Sequence, residues 1–423
     1  MQRVKGSSVT SGTEGRTGEL AVRACSSHHK YRALVCGAAV LALSLPLAAY
    51  AQTPVGPRAI VAGGWIDADG AIQTAGLVVI ENGQITQVGG ELPAGVPVDA
   101  YPAAVISPGL VDCQTTLGVL GGLAELNDAV QPKITASEAF NRYSPQMRAA
   151  LVAGVTTFAL APDDQNVIGG RIAVCQTGGP DGAPRLLSAL GPVKLSLSPD
   201  ALKIDREPTS RGGAVGLLRD TLSAASERPN DADPIASFAT GKLTGVLAAP
   251  SGADVLAALG LAEQFKLKLV LIHTWDAHRV AEQLAPHIAG VIVDPLDFTS
   301  SPRAAAAAGL YERRAVPVAI GGGLPDGPAD ALRIGAAVAT RAGLTPSAAR
   351  QAITSVPAEM LGVADRVGVV QVNHQADLVV FSGDPLDLRS RVLAVYVAGQ
   401  RINLADEPTE IPAGANCTRG DQR

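Results

Sequence analysis

Four side chains of this 423-residue chain stand where chemistry could be done, and they are far apart in sequence. Cys113 alternates with Thr115 at the end of an apolar run, and a thiolate is both a nucleophile and a zinc ligand. His273 directly follows the apolar residues 269–272, which sets its imidazole at the end of a buried strand, free to ligate a metal or move a proton. Lys194 lies inside the strand-like run 191–197; a lysine there reacts if its ammonium is buried, or is held by a carboxylate, or snorkels to water. Asp326 comes after the glycine run 321–323, whose backbone N–H groups suit either an anion or a tight turn. Cys113 with His273 would make a nucleophile and its base. His273 alone is one of the three protein ligands that a catalytic zinc takes.

The elements that must position these groups are strands alternating with helices, framed by β segments. Residues 57–106 read as short strands separated by turns, and Asn82-Gly83 between two apolar runs is a two-residue hairpin signal. A second β segment follows at residues 376–399. Between them, residues 155–160, 172–176, 191–197, 245–249, 269–272, 291–293 and 316–320 are strand-like. Thr345 before Pro346 is a matched helix start. This order predicts an α/β protein: a (β/α)8 TIM-type barrel over residues 107–365, inserted in a small composite β-domain made of residues 52–106 and 366–405, with a disordered tail at 406–423.

Composition narrows the function. The net charge of −5 and the 3% aromatic content offer neither a basic stripe nor a stacking surface, so nucleic acid is not an expected partner. Lys30 and Arg32 precede an apolar run, 33–49, and Ala49-Tyr50-Ala51 is a small-x-small site. Residues 1–51 therefore read as a signal peptide, leaving a periplasmic or secreted protein with no stable membrane span. Cys113, Cys175 and Cys417 remain after cleavage, too few and too odd in number for a disulfide framework.

The run Ser107-Pro108-Gly109-Leu110-Val111-Asp112 resembles the opening barrel strand of the amidohydrolase superfamily, and Ala376-Asp377-Leu378-Val379-Val380 with Gly383-Asp384-Pro385 resembles its closing run. Asn166-Val167-Ile168-Gly169-Gly170, Pro208-Thr209-Ser210-Arg211 and Pro357-Ala358-Glu359-Met360-Leu361-Gly362 are similar to an imidazolonepropionase-like branch. The resemblance implies hydrolysis of non-peptide or cyclic C–N bonds by water bound to a divalent metal. It implies histidine ligands at positions 113, 115, 248 and 273 and a late aspartate near 323. The chain holds Cys113, Thr115, Ala248 and Gly323 there, and keeps His273 alone. Some members of the superfamily bridge two metals with a carboxylated lysine, which gives Lys194 a second meaning.

Two expectations follow. The first is an exported amidohydrolase-related protein that has lost metal-dependent catalysis and needs no cofactor. It would bind a small molecule at the barrel mouth and act as a binding or partner subunit, as a homo-oligomer or beside an active relative. The alternative is an active C–N hydrolase with a rearranged zinc site built from Cys113, Lys194, His273 and Asp326. His278, His287 and His374 read as surface residues, and Asp112 as a structural carboxylate that accepts backbone N–H bonds at its turn.

Overall fold

The computed structural model describes residues 56–119, 121–179 and 183–404. The expected signal peptide, its cysteines and Cys417 in the tail lie outside these residues. No helix among the described residues is long and apolar enough to cross a membrane.

The chain opens with β1 (Arg58–Ile66), β2 (Ile72–Glu81), β3 (Gln84–Val88) and β4 (Val98–Pro108). Asn82 and Gly83, both at positive φ, join β2 to β3. Next come β5 (Leu110–Thr115), β6 (Val155–Leu160), β7 (Ile168–Arg171), β8 (Ala173–Gln176), β9 (Arg185–Ser188) and β10 (Val193–Ser196). Then follow β11 (Thr244–Ala248), β12 (Lys268–Ile272), β13 (Gly290–Val293) and β14 (Val318–Ile320). The closing segment supplies β15 (Leu378–Phe381), β16 (Val392–Val397) and β17 (Gln400–Arg401), which join β1–β4 in one seven-stranded sheet. Chain ends far apart in sequence thus share a sheet, with the α/β region between them.

That region is a barrel with one irregular stave. β5 pairs with β6, and β10 to β14 pair in parallel order. The gap between β6 and β10 is filled by β7 and β8, which run antiparallel to both neighbours. Gly323 N–H donates to Gln114 O at 3.0 Å, and Thr116 N–H to Leu324 O at 2.9 Å, so the last stave meets the first. An unbroken series of parallel β-α units was expected, and here it is corrected. Residues 160–168 are too few for the dozen or more that a parallel crossover needs, so the chain doubles back instead.

Strand alternation sorts the two cores. Val111, Cys113, Val246, Ala248, Val270, Ile272, Ile292 and Ala319 face the interior cluster. Leu110, Leu247, Leu271, Val291, Val293, Val318 and Ile320 face the helices. The helices start where the sequence stops them from starting earlier. Ser251 and Asp254 form a reciprocal capping box for Gly252–Phe265, and Thr345 accepts from Ala348 N–H before Pro346–Gln351, as its spacing with Pro346 predicts. β4 passes into β5 through Gly109 alone, a link between sheets and not the turn that Pro108-Gly109 suggests. A Cβ at Gly109 would lie 1.9 Å from Thr156 Oγ1, so only glycine fits that crossing.

Candidate active-site cleft

The C-terminal ends of the staves, the functional face of such a barrel, surround a cleft of about 520 Å³. Cys113, Lys194, His273 and Asp326 all line it, although they come from β5, β10, the end of β12 and the loop after β14. Two further residues add to the polar lining, Asp164 in the loop after β6 and Gln114 on β5. Asp294, at the end of β13, lies behind Gln114 and lines the neighbouring cavity.

β5 loses its register against β6 between Asp112 and Thr115. This bulge breaks the period of two. Cys113, Gln114, Thr115 and Thr116 therefore all line the cleft instead of alternate ones alone. His273 sits at φ 54°, a left-handed conformation that turns the chain sharply at the end of β12.

Asp164 is the hub. One of its oxygens receives the Lys194 ammonium, and the other lies 2.6 Å from His273 Nδ1. Burial works against its charge, but Lys194 and then His273 outweigh burial and hold it well below the usual carboxylate range. Lys194 is 3% exposed, so it is a buried ion-paired lysine and does not snorkel. On the other edge of the imidazole, Gln114 Nε2 lies 2.9 Å from His273 Nε2 and 3.4 Å from Asp294 Oδ1. Burial raises the Asp294 pKa, with His273 opposing it.

The other sequence-nominated groups behave differently. Burial, reinforced by Asp112, pushes the Cys113 thiol well up, which keeps it protonated and weakly nucleophilic. Thr115 Oγ1 donates to Ala159 O at 2.9 Å. Asp326 stands on the exposed rim, after a tight turn in which its N–H donates to Gly323 O at 3.2 Å. The glycine run cannot serve as an anion cradle: Gly321 N–H goes to Val293 O, Gly322 N–H to Asp112 Oδ1 and Gly323 N–H to Gln114 O. Asp112 is fully buried and accepts a local bond from Gln114 N–H at 3.1 Å, as expected of a structural carboxylate, and a second from Gly322 N–H at 2.9 Å across the barrel seam. Burial pushes it up to about 7 against those bonds. His374, expected at the surface, is half-buried, with Nε2 3.0 Å from Ala364 O. His278 lines a second cavity of about 350 Å³ beside Trp275 and Asp294.

This donor set does not fit a hydrolytic zinc. No cluster of three or more His, Cys, Asp or Glu side chains suited to a metal occurs among the described residues. Ala248 faces the interior with nothing to offer, the Cys113 thiol is neutral, and the Asp164 carboxylate already holds a cation. Both ring nitrogens of His273 have partners.

Comparison with known proteins reports the same scaffold. The Amidohydrolase family matches residues 325–407. Amidohydrolase tasK of Hapsidospora irregularis is 25% identical over 390 residues, 77% of this chain. The chain is thus similar to amidohydrolases in sequence and shares their fold. It spans 39% of the length of that fungal relative. A Thermotoga maritima amidohydrolase has a similar fold, at TM-score 0.71 and 23% identity over 81% of this chain and 99% of that one. Phenylurea hydrolase B is a more distant match, at TM-score 0.51 and 16% identity over 84% and 98%.

Asp164, Gln114 and Asp294 were not nominated from the sequence. Asp164 and Asp294 each follow an apolar strand run closely, so a search for acids at strand C-terminal ends would have found both. Gln114 was hidden by the assumption of strict alternation along β5.

Proposed function

We propose that this amidohydrolase-fold protein is exported and has given up metal-dependent C–N hydrolysis, keeping its cleft to bind a small molecule and acting as a binding or partner subunit. The observation that carries this reading is the double occupation of Asp164, by the Lys194 ammonium on one oxygen and His273 on the other. The carboxylate nearest His273 is thus taken by the chain's own ammonium and is not open to a metal ion. Asp164 orients the imidazole and Lys194 neutralises Asp164, so the trio is electrostatically closed. Missing ligands act together, since hydrolysis requires the whole set at once. The apolar run before Ala51 supports export and predicts a mature chain beginning at Gln52.

The test is elemental analysis of gently purified protein, with hydrolysis of amide and lactam substrates measured alongside. Substoichiometric metal without turnover is expected. One equivalent of zinc per chain with hydrolysis overturns the reading.

One observation favours a second reading, an active C–N hydrolase with a rearranged zinc site: Cys113, Lys194, His273 and Asp326 line a single cleft. It predicts that zinc restores turnover and that His273→Ala abolishes it. The short runs at 166–170 and 357–362 favour an imidazolonepropionase-like ancestry, under which a cyclic amide is the first substrate class to try.

A further inference from the structure

Gln114 holds a position that two acceptors define. Its Nε2 faces His273 Nε2 at 2.9 Å and Asp294 Oδ1 at 3.4 Å, and those two acceptors are themselves 3.7 Å apart. Turned over, the amide would set its carbonyl oxygen against a carboxylate oxygen, so the NH2 belongs there. His273 Nε2 then accepts, and the ring proton sits on Nδ1, donated to Asp164.

The amide is an imperfect occupant of this place. Its Oε1 is buried with no hydrogen-bond partner, a cost that release to water would relieve. The contact to Asp294 is long for a hydrogen bond. A protonated primary amine carries three N–H donors, enough for both acceptors, and its bond to Asp294 would be charge-assisted.

The charge of the cleft agrees independently. Its lining has four carboxylates, Asp163, Asp164, Asp200 and Asp326, against two ammonium groups. Lys194 is taken by Asp164, and Lys203 Nζ lies 3.1 Å from Gln165 Oε1. The field at the mouth is therefore negative and concentrates cations. Below the rim, Ile172, Val246, Ile272 and Leu324 offer an apolar wall.

We infer that the cleft takes a small cationic amine with an apolar body, whose ammonium displaces the Gln114 amide from His273 and Asp294. This rests on the reading of the cleft as a ligand-binding site. The Gln114 amide is the chain's own stand-in for the ligand's amino group.

The experiment titrates the full mature chain with benzylamine, benzyl alcohol and benzoate, three probes of matched body and different charge. Calorimetry gives the affinity, and the imidazole resonances of His273 report the place. Benzylamine should bind wild type at least about tenfold more tightly than benzyl alcohol, the effect of one charge-assisted hydrogen bond. Gln114→Ala should tighten benzylamine further, and Asp294→Asn should bring it down to the level of benzyl alcohol. If benzoate or benzyl alcohol binds wild type best at His273, the amine inference falls while the binding reading stands. If none of the three perturbs His273, both fall. Should a variant fail to fold, the rank order in wild type decides.

Discussion

Two carboxylates at opposite ends of the barrel staves have opposite company. Asp377, beside the seven-stranded sheet, is 3% exposed and is met by neutral donors: Ala398 N–H at 2.7 Å on one oxygen and the Gln176 amide on the other. Its own carbonyl accepts Gly109 N–H at 2.8 Å. One residue thus ties the β4–β5 crossing, β8 and the loop after β16 together. Burial pushes its pKa up to about 6 despite these bonds. Asp164, at the mouth, is met by an ammonium and an imidazole and is held far the other way. A carboxylate that joins segments takes backbone and amide donors from them. A carboxylate that fixes charges at a cleft takes side chains that themselves face the ligand.

The largest expected effect breaks the cation at the mouth. Lys194→Met leaves the partly buried Asp164 short of its counter-charge, which should cost up to about 3–5 kcal/mol of unfolding free energy. Lys194→Met combined with Asp164→Leu should recover most of that loss, because the buried pair itself contributes little beyond its own desolvation. Urea titrations of the single and double variants measure both. If the single variant is as stable as wild type, the pairing is no constraint on the cleft and the contrast with Asp377 is empty.

Next in size is a pH effect that separates the two kinds of carboxylate. Asp112 is raised from 3.8 to about 7 and Asp377 to about 6. Between the unfolded value and the folded one, the native state binds more protons than the unfolded chain. Stability from these groups is therefore complete below pH 3.8 and falls as pH rises through 6 and 7. Asp164 has the opposite sign: its contribution is present above its unfolded value and is lost as the medium becomes strongly acidic. Asp112→Asn should flatten the decline, so that its stability relative to wild type rises by about 3 kcal/mol between pH 5 and pH 8. Thermal unfolding of both proteins across that range is the check. Equal slopes would remove Asp112 from the account.

A third variant sharpens the junction end. Gly109→Ala drives a methyl group to 1.9 Å from Thr156 Oγ1, and overpacking of this kind costs about 1–3 kcal/mol. Cleft binding should be unaffected, so a change in ligand affinity greater than the change in stability would couple the two ends.

What could be read from the sequence divides along the same line. The junction was legible because its signals are local: Asn82-Gly83 for a hairpin and Ala376-Asp377-Leu378-Val379-Val380 for the closing strand, although Pro108-Gly109 read as a turn and is a crossing between sheets. The four nominated side chains were drawn from strands and the loop after the last one, and the cleft gathers them. What was missed depends on breaks in periodicity. The bulge in β5 brings Gln114 to the cleft, and the doubled-back stave of β7 and β8 carries the chain past Asp164. A bulge is decided by the partner strand's register and leaves little trace in its own residues.

The smallest effect concerns backbone strain at the two ends of β12. Lys266, just before it, caps the helix Gly252–Phe265 at φ 56°, and His273, just after it, sits at φ 54°. Both are non-glycine residues in the left-handed region, which costs each about 1 kcal/mol relative to glycine. Lys266 shows no side-chain bond that would justify that cost, and the C-terminal cap position favours glycine. Lys266→Gly should therefore stabilise by about 0.5–1 kcal/mol, less the added freedom of the unfolded chain. His273→Gly relieves the same strain but strips Asp164 and Gln114 of the imidazole between them. Its net effect should be destabilising. If denaturation finds both glycine variants stabilising to the same degree, the His273 network adds nothing to the fold, and the strain at the mouth is an accident of the turn.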